Sequence, residues 1–367
     1  MRDKNLVAGL RSILRFLYRR GELAIAGPLG NKAMAERANK TRIGAGLNKF
    51  GVTPSGIALL AIIGVLPLIL TDEFSIRLLV TTLMFGTLAM AFDFTTGFIN
   101  ICNFGFSAFW GVGAYGSALL ATRLGVSPWI CMILGGLMAG LCGFGLGLLT
   151  IRLGGIFASC MTWFVALAML AVADNWVALT NGSTGLTAPP LLQTVKNMPY
   201  YYIMFSIMIG VFLVLMYFKN SNFGLAFRAI GQDGEAAASC GVNPTKYKII
   251  NFSISCALAG VIGAFYAHYI GILSPHDMAT SKTVEIMAIS FIGGRGTIWG
   301  GLACALIMVP VMDLAKDLLE VRLLIYGALM ILVMIMYPKG LVGIVEIILK
   351  AFKAHKEALK RRFVRQL

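Results

Sequence analysis

Ser127-Pro-Trp-Ile-Cys-Met-Ile-Leu-Gly-Gly-Leu-Met-Ala-Gly-Leu-Cys-Gly-Phe-Gly-Leu-Gly-Leu-Leu-Thr150 runs for 24 residues without an Asp, Glu, Lys, Arg or His. About 20 apolar residues in a helix cross a bilayer core of about 30 Å. Similar runs at 55–71, 75–92, 105–122, 155–178, 199–218, 247–271, 297–316 and 321–337 are further candidate spans. A shorter apolar piece, Thr283–Ile292, contains Glu285 and is followed by the Gly293–Gly294 turn. If it crosses with help from that turn, ten crossings result and both termini share a side. The whole 367-residue chain agrees: 58% is hydrophobic, 13% charged, and the mean hydropathy is +0.82. Soluble domains carry about 25% charged residues. The expected class is an all-α polytopic membrane protein with about nine or ten transmembrane helices, some of them broken or short.

The net charge of +15 lies mostly at the ends. Residues 1–50 hold 11 Lys/Arg against 3 acids, and residues 338–367 hold 8 against 2. Basic ends around an apolar body read as cytoplasmic termini against anionic lipid. With the N-terminus inside and ten crossings, 25 of the 31 Lys/Arg fall on or beside inner segments: 1–54, the Asn100 turn, Arg152, 219–246, the Arg295 turn and the tail. No nucleic-acid motif competes for the charge. The organisation expected is a basic extension over 1–54, membrane parts at 55–218 and 247–337 around a loop at 219–246, and a basic tail at 338–367. Residues 5–20 suggest an amphipathic surface helix.

No phosphate loop, GxSxG or HExxH occurs, so the residues point to neither nucleotide binding nor hydrolysis by this chain. The seven cysteines are scattered without a CxxC and read as small apolar residues. His268 and His276 are expected to meet water at the outer end of the seventh span, and no metal set forms around them.

Two Gly/Asn-rich stretches, Phe94–Gly116 and Ile292–Gly301, interrupt apolar half-spans, one in each half of the body. Broken helices at corresponding places are expected of transporters built from inverted repeats. Gly97, Gly105, Gly111, Gly113 and Gly116 mark the first break; Gly293, Gly294, Gly296, Gly300 and Gly301 mark the second. Gly136–Gly140 and Gly143–Gly147 have the spacing of close helix packing instead. Ionisable groups in membrane segments tend to mark function. Asp93 and Glu285 are therefore candidates for a polar path with Asn100, Asn103, Ser107 and Thr162. The competing reading is that the two carboxylates cap half-helices or pair with Arg77 or Lys282.

The loop KNSNFGLAFRAIGQDGEAAASCGVNPTK (219–246) is amphipathic and Ala-rich, with Asp233 and Glu235 near the start of a short helix that Gly241 ends. Its small residues and carboxylate suit a partner's groove. Glu235-Ala236-Ala237 followed by Gly241 resembles the EAA coupling motif of ABC importer permeases. FINICNFGFSAFWGVGAY (98–115), IRLGGIFASCMTW (151–163), LTNGSTGL (179–186), FGLAFRAIGQDGEAAASCGVNPTKYK (223–248), GAFYAHYIGILSP (263–275), EIMAISFIGGRGTIWG (285–300) and LIYGALMILVMIMYPKGL (324–341) follow in order. Over residues 60–345 the chain resembles the permease family of branched-chain amino acid importers, in its larger-subunit form.

The resemblance implies an inverted-repeat ABC importer permease in a bacterial inner membrane. It implies a sister permease subunit, two cytoplasmic ATPases carrying ATP and Mg, and an external solute-binding protein. This chain would bind no cofactor and catalyse nothing. Asp233, Glu235, Ala236, Ala237 and Gly241 would dock in an ATPase cleft, while loop 180–198 and Ser274–Asp277 would meet the binding protein. Phe106 stands where family members commonly carry His, and Asn100 and Asn103 where they carry Gln or Ser. The implied solutes are branched-chain amino acids or related amino acids, amides or urea. The rival function is a stand-alone ion-coupled transporter or channel working through Asp93 and Glu285.

Overall fold

The computed structural model describes residues 60, 63–68, 70, 72–150, 153, 155–194, 196–314, 319–336 and 340–341, all within the unit Ser55–Leu367. The expectations for the basic extension, the surface helix at 5–20 and the basic tail lie outside the described residues. The fold is helical throughout: α1 (Glu73–Thr96), α2 (Phe106–Leu124), α3 (Pro128–Thr150), α4 (Gly155–Asn175), α5 (Asn197–Asn220), α6 (Asn222–Gln232), α7 (Gly234–Ser239), α8 (Pro244–Ile270), α9 (Thr280–Gly293), α10 (Ile298–Leu314) and α11 (Leu319–Met336).

Boundaries follow local chemistry. Asn243 Oδ1 accepts the Lys246 N–H at 3.2 Å and Pro244 opens α8, whereas left-handed Gly271 (φ +82°) ends it. Gly125, at φ +64°, ends α2 in the same way. Among the described helices, α1, α3, α4, α5 and α8 are each long and apolar enough to cross a membrane. Helix α9 rises about 21 Å at 1.5 Å per residue and is too short to cross alone. It joins α10 through a 113° bend, making one broken pair. The pattern expected for Thr283–Ile292 and its glycine turn is therefore present.

Helix α1 is central, with 72% of its apolar window buried within the chain; α4 is peripheral, with 28%. Ile156, Phe157, Trp163 and Phe164 of α4 are exposed. Helix α8 lies against α3 and α2, and glycines set the distance. A Cβ on Gly143 would lie 2.6 Å from Cys256 Cβ, and one on Gly140 would lie 2.9 Å from Ala257 Cβ. In lipid, where apolar contact with solvent carries no penalty, close approach through small residues drives helix association.

Several glycines expected in the breaks belong to helices. Gly111, Gly113 and Gly116 lie inside α2, and Gly300 and Gly301 inside α10. They face Met278, Gly260, Met138, Gly293 and Ala89 respectively, so each serves packing. The breaks themselves are narrower, Gly97–Gly105 and Gly294–Thr297, and Gly293, expected in the second, is the last residue of α9.

At one end of the bundle, Leu186 and Thr187 pair antiparallel with Leu273 and Ile272. This two-residue ribbon ties the 180–198 loop to Ser274–Asp277. His268 departs from the expectation of an interfacial residue: it is 1% exposed. Its ring nitrogens lie 2.8 Å from Ser117 Oγ and 2.7 Å from the Pro189 carbonyl, pinning the loop onto α8 and α2. His276 is exposed, as expected.

Candidate functional site

The last four carbonyls of a helix have no partner inside it, and the last four residues of α1 are buried, so each carbonyl must find one. All four do. Gly97 N–H donates to Asp93 O at 2.7 Å, Ile99 N–H to Thr95 O at 3.0 Å, and Asn251 Nδ2 of α8 to Phe94 O at 3.0 Å. The Arg295 guanidinium, from the second break, donates to Thr96 O at 3.2 Å. The same guanidinium donates to Asn100 Oδ1, where Asn100 holds a left-handed φ of +62°. In return, Asp93 Oδ1 accepts the Gly296 N–H at 2.8 Å. The two breaks are thus one joint, each supplying what the other's backbone lacks.

The joint is packed to contact. A Cβ on Gly97 would lie 2.6 Å from Asp93 Oδ1 and 2.7 Å from Gly296 Cα. Gly294 and Gly296 both need positive φ, +118° and +74°. Phe92, next to Asp93, meets the Phe106 and Phe291 rings edge-on at 5.5 and 6.2 Å.

Helix α2 begins with buried donors that are also matched. Gly105 N–H donates to Asn103 Oδ1 at 3.1 Å, Phe104 N–H to Thr162 Oγ1 at 2.9 Å, and Ser107 N–H to Thr283 Oγ1 at 3.0 Å. The Thr283 hydroxyl donates to Ser107 Oγ at 2.7 Å, and Ser107 Oγ in turn reaches the Met278 and Ala279 carbonyls at 3.0 Å. Asn103, Phe106, Ser107 and Thr162 are each fully buried. Their polar groups hold the helix start to α4 and α9.

Of the two expected carboxylates, Asp93 caps the second break and Glu285 pairs with Lys282 at 3.4 Å. These are the roles the competing sequence reading gave them. Asp93 and Asn100 meet at the joint, whereas Glu285 sits on α9 near the other end of that helix. The candidate path residues therefore divide between two places. Arg295 and Asn251, central to the joint, were not singled out by the sequence reading; the RGT after Gly294 was the available sign for Arg295.

The loop between α5 and α8 packs directly on the first break. Helix α6 presses Gly231 against the Phe98 carbonyl, leaving no space for a Cβ. Arg228 lies over the Phe98 ring at 5.4 Å, and Phe227 meets Phe94 edge-on at 5.5 Å. Phe223 and Tyr247 extend this aromatic seam to the start of α8. Beyond it, Asp233 caps α7 by accepting from Glu235 N–H at 2.9 Å and Ala236 N–H at 3.1 Å. Ala237 is buried, Glu235 and Ala236 are exposed, and Gly241 turns the chain at φ +85°. Cys240 is exposed beside them, unlike buried Cys131, Cys256 and Cys304. The arrangement presents a small, capped, mostly uncovered helix on a rigid mount that rests on the joint.

A family model described as "Branched-chain amino acid transport system / permease component" matches residues 52–334. LivM, the high-affinity branched-chain amino acid transport system permease protein of Salmonella typhimurium, is 27% identical over 295 residues, 73% of this chain and 69% of its own. LivM of Escherichia coli is 27% identical over 288 residues, 71% of this chain and 68% of its own. LivH, from the same kind of system in Salmonella typhimurium, is 23% identical over 284 residues, 71% of this chain and 91% of its own. No solved structure matches the chain. With the family model spanning most of its length and the helices, breaks and exposed loop in place, this membrane chain belongs to the branched-chain amino acid transport permease family.

Proposed function

We propose that the chain is one transmembrane subunit of an ATP-driven importer. It would pass a small polar solute, a branched-chain amino acid or a related amino acid, amide or urea, received from a solute-binding protein. The observation that carries this reading is the mount of α6 and α7. Exposed Glu235 and Ala236 sit on a helix whose neighbour touches Phe98 through Gly231 and Arg228, and Phe98 belongs to the break joined to Gly296. A push on α7 therefore reaches the joint through packed atoms rather than through a flexible tether.

In this mechanism two cytoplasmic ATPase subunits bind ATP and Mg, and one of them grips α7. Closure moves α6, and the joint lets α1–α2 and α9–α10 change angle while rigid helices rock about the solute's route. A sister permease subunit supplies the opposite wall, against the uncovered face of α4. The ribbon-tied loop 180–198 and Ser274–Asp277 face the solute-binding protein. This reading implies an inner membrane location, and the Lys/Arg distribution supports placing both termini in the cytoplasm.

The test is co-purification in mild detergent of the tagged chain with its genomic neighbours, followed by reconstituted uptake. ATPase subunits and a second permease are expected with the wild type, and the ATPases are expected to be lost in Glu235→Arg along with uptake. A chain that moves solute down an ion gradient without ATP, indifferent to Glu235→Arg, would overturn the proposal.

A further inference from the structure

Two cations stand together at the end of the bundle that carries α6 and α7. Lys219, in the last turn of α5, is half-buried, and Arg228, on α6, is exposed. They lie close enough for their charges to repel, and neither has an ion pair or a side-chain hydrogen bond among the described residues. The opposite charge that reaches Lys219 is that of Asp93, which is 1% exposed and already spends Oδ1 on the Gly296 N–H. We infer that Lys219 and Arg228 form a binding site for the phosphate of an anionic phospholipid. The inference needs a chain embedded in a bilayer and does not depend on the importer reading.

The backbones that carry the two charges are fixed. At the corner between α5 and α6 the Ser221 hydroxyl donates to Phe218 O at 2.8 Å, and the Gly224 N–H to Ser221 O at 3.0 Å. A Cβ on Gly224 would run into the Phe218 and Lys219 carbonyls, so α6 turns back directly on the end of α5. Further along α6, Arg228 lies over the Phe98 ring at 5.4 Å and Gly231 rests on the Phe98 carbonyl. Neither helix can swing away to relieve the repulsion, and an anion between the two cations does so. Lysine offers three N–H donors and arginine a planar fork. A phosphate meets both, with oxygens on several sides and charge-assisted bonds to each.

The apolar surroundings select a lipid over a free phosphate. The exposed outer face of α5 stays apolar through Leu213 and Val214 to Tyr217, two residues before Lys219. Tyrosine is enriched at the level of the lipid headgroups, so the bilayer's edge falls at the end of α5, where Lys219 stands. Leu225, 73% exposed, lies three residues before Arg228 on the same face of α6. A leucine uncovered beside an arginine at headgroup depth offers an apolar contact for the glycerol and first acyl carbons of a lipid whose phosphate meets Arg228. Basic pockets at the ends of membrane helices bind anionic headgroups in this way. A zwitterionic lipid brings an amine that the two cations repel.

Native mass spectrometry of the full chain, delipidated in mild detergent and titrated with phosphatidylglycerol, tests this; phosphatidylethanolamine with the same acyl chains is the comparison. A saturable phosphatidylglycerol adduct is expected, at least fivefold tighter than the phosphatidylethanolamine one. Lys219→Gln and Arg228→Gln are each expected to weaken it about fivefold, whereas Lys219→Arg and Arg228→Lys keep most of the preference. Leu225→Gln is expected to weaken the adduct with both charges in place. Lys246→Gln, which removes an exposed charge from the start of α8, is expected to leave it unchanged. Equal binding of the two lipids would overturn the inference, as would wild-type affinity in both Gln variants. Weakening by Lys246→Gln as large as by Arg228→Gln would replace the site with the general charge of that surface. Displacement of the lipid by an equal concentration of inorganic phosphate, with Leu225→Gln indistinguishable from wild type, would assign the site to a free anion and overturn the lipid.

Discussion

Asp93 Oδ1 and the backbone N–H of Gly296 meet at 2.8 Å, two residues 203 positions apart in the chain. The carboxylate belongs to α1 and the N–H to the turn between α9 and α10. Replacing Asp93 with Leu strands that donor and the buried turn around it. Loss of a buried partner costs about 1–3 kcal/mol, so Asp93→Leu is expected to lower the thermal midpoint of the detergent-solubilised chain clearly. Asp93→Asn, which keeps a side-chain oxygen, is expected to lie between Leu and wild type. Equal midpoints for all three, read by size-exclusion after heating, would show that the contact contributes nothing.

The contact between Gly231 and the Phe98 carbonyl leaves no space for a side chain. Gly231→Val must separate α6 from the first break or distort one of them. The expected result is uptake reduced at least tenfold with the ATPase subunits still bound, because α7 and Glu235 are untouched. Loss of the ATPases together with uptake would mean that Gly231 supports the docking helix rather than the transmission.

Glycines on α3 separate into two kinds. Gly143 faces Cys256, whereas nothing lies within 4 Å of a Cβ built on Gly145. Overpacking costs about 1–3 kcal/mol, so Gly143→Val is expected to destabilise the chain. Gly145→Ala is expected to be neutral or mildly stabilising, since glycine is a poor helix former. Thermal midpoints of the pair, measured side by side, check both signs.

Asp233 holds two N–H groups at the start of α7. Asp233→Ala removes the cap at a cost of about 1 kcal/mol to that helix. A six-residue helix with so little else holding it is expected to fray, lowering uptake severalfold while the bulk thermal midpoint stays in place. Asp233→Ser, which restores an acceptor, is expected to recover most of the uptake. Reconstituted transport assays on the two variants distinguish a capping role from a charge role.

His268 bridges Ser117 and the Pro189 carbonyl. His268→Leu fills similar space and leaves the carbonyl and hydroxyl without a partner, a loss of about 1–3 kcal/mol. Protease sensitivity of the 180–198 loop is expected to rise in the variant, and unchanged cleavage would dismiss the bridge as a restraint.

How much of this was readable in advance depended on how local the chemistry was. The apolar run 127–150 and a short helix starting near Asp233 and Glu235 and stopping by Gly241 are properties of a few neighbouring residues, and each was legible. Gly140 and Gly143 were legible as packing positions because their spacing places them on one helix face. Gly111, Gly113 and Gly116 were not, because a glycine that breaks a helix and one that lets helices touch look alike until the neighbour is known. His268 looked interfacial because the 180–198 loop that buries it lies far away in sequence. The joint was half legible: Asp93, Asn100 and the glycines stood out, while Arg295 and Asn251 act only across elements.

The shortness of α9 bears on how the chain is made. A 14-residue helix cannot hold a place across a bilayer as it leaves the ribosome, and its turn carries Arg295. Asp93 and Thr96, which receive the Gly296 N–H and that guanidinium, precede them by 203 and 199 residues respectively. Until α9 and α10 are made, that carboxylate and carbonyl lack these two partners. The first break is thus completed only by residues made much later in the chain.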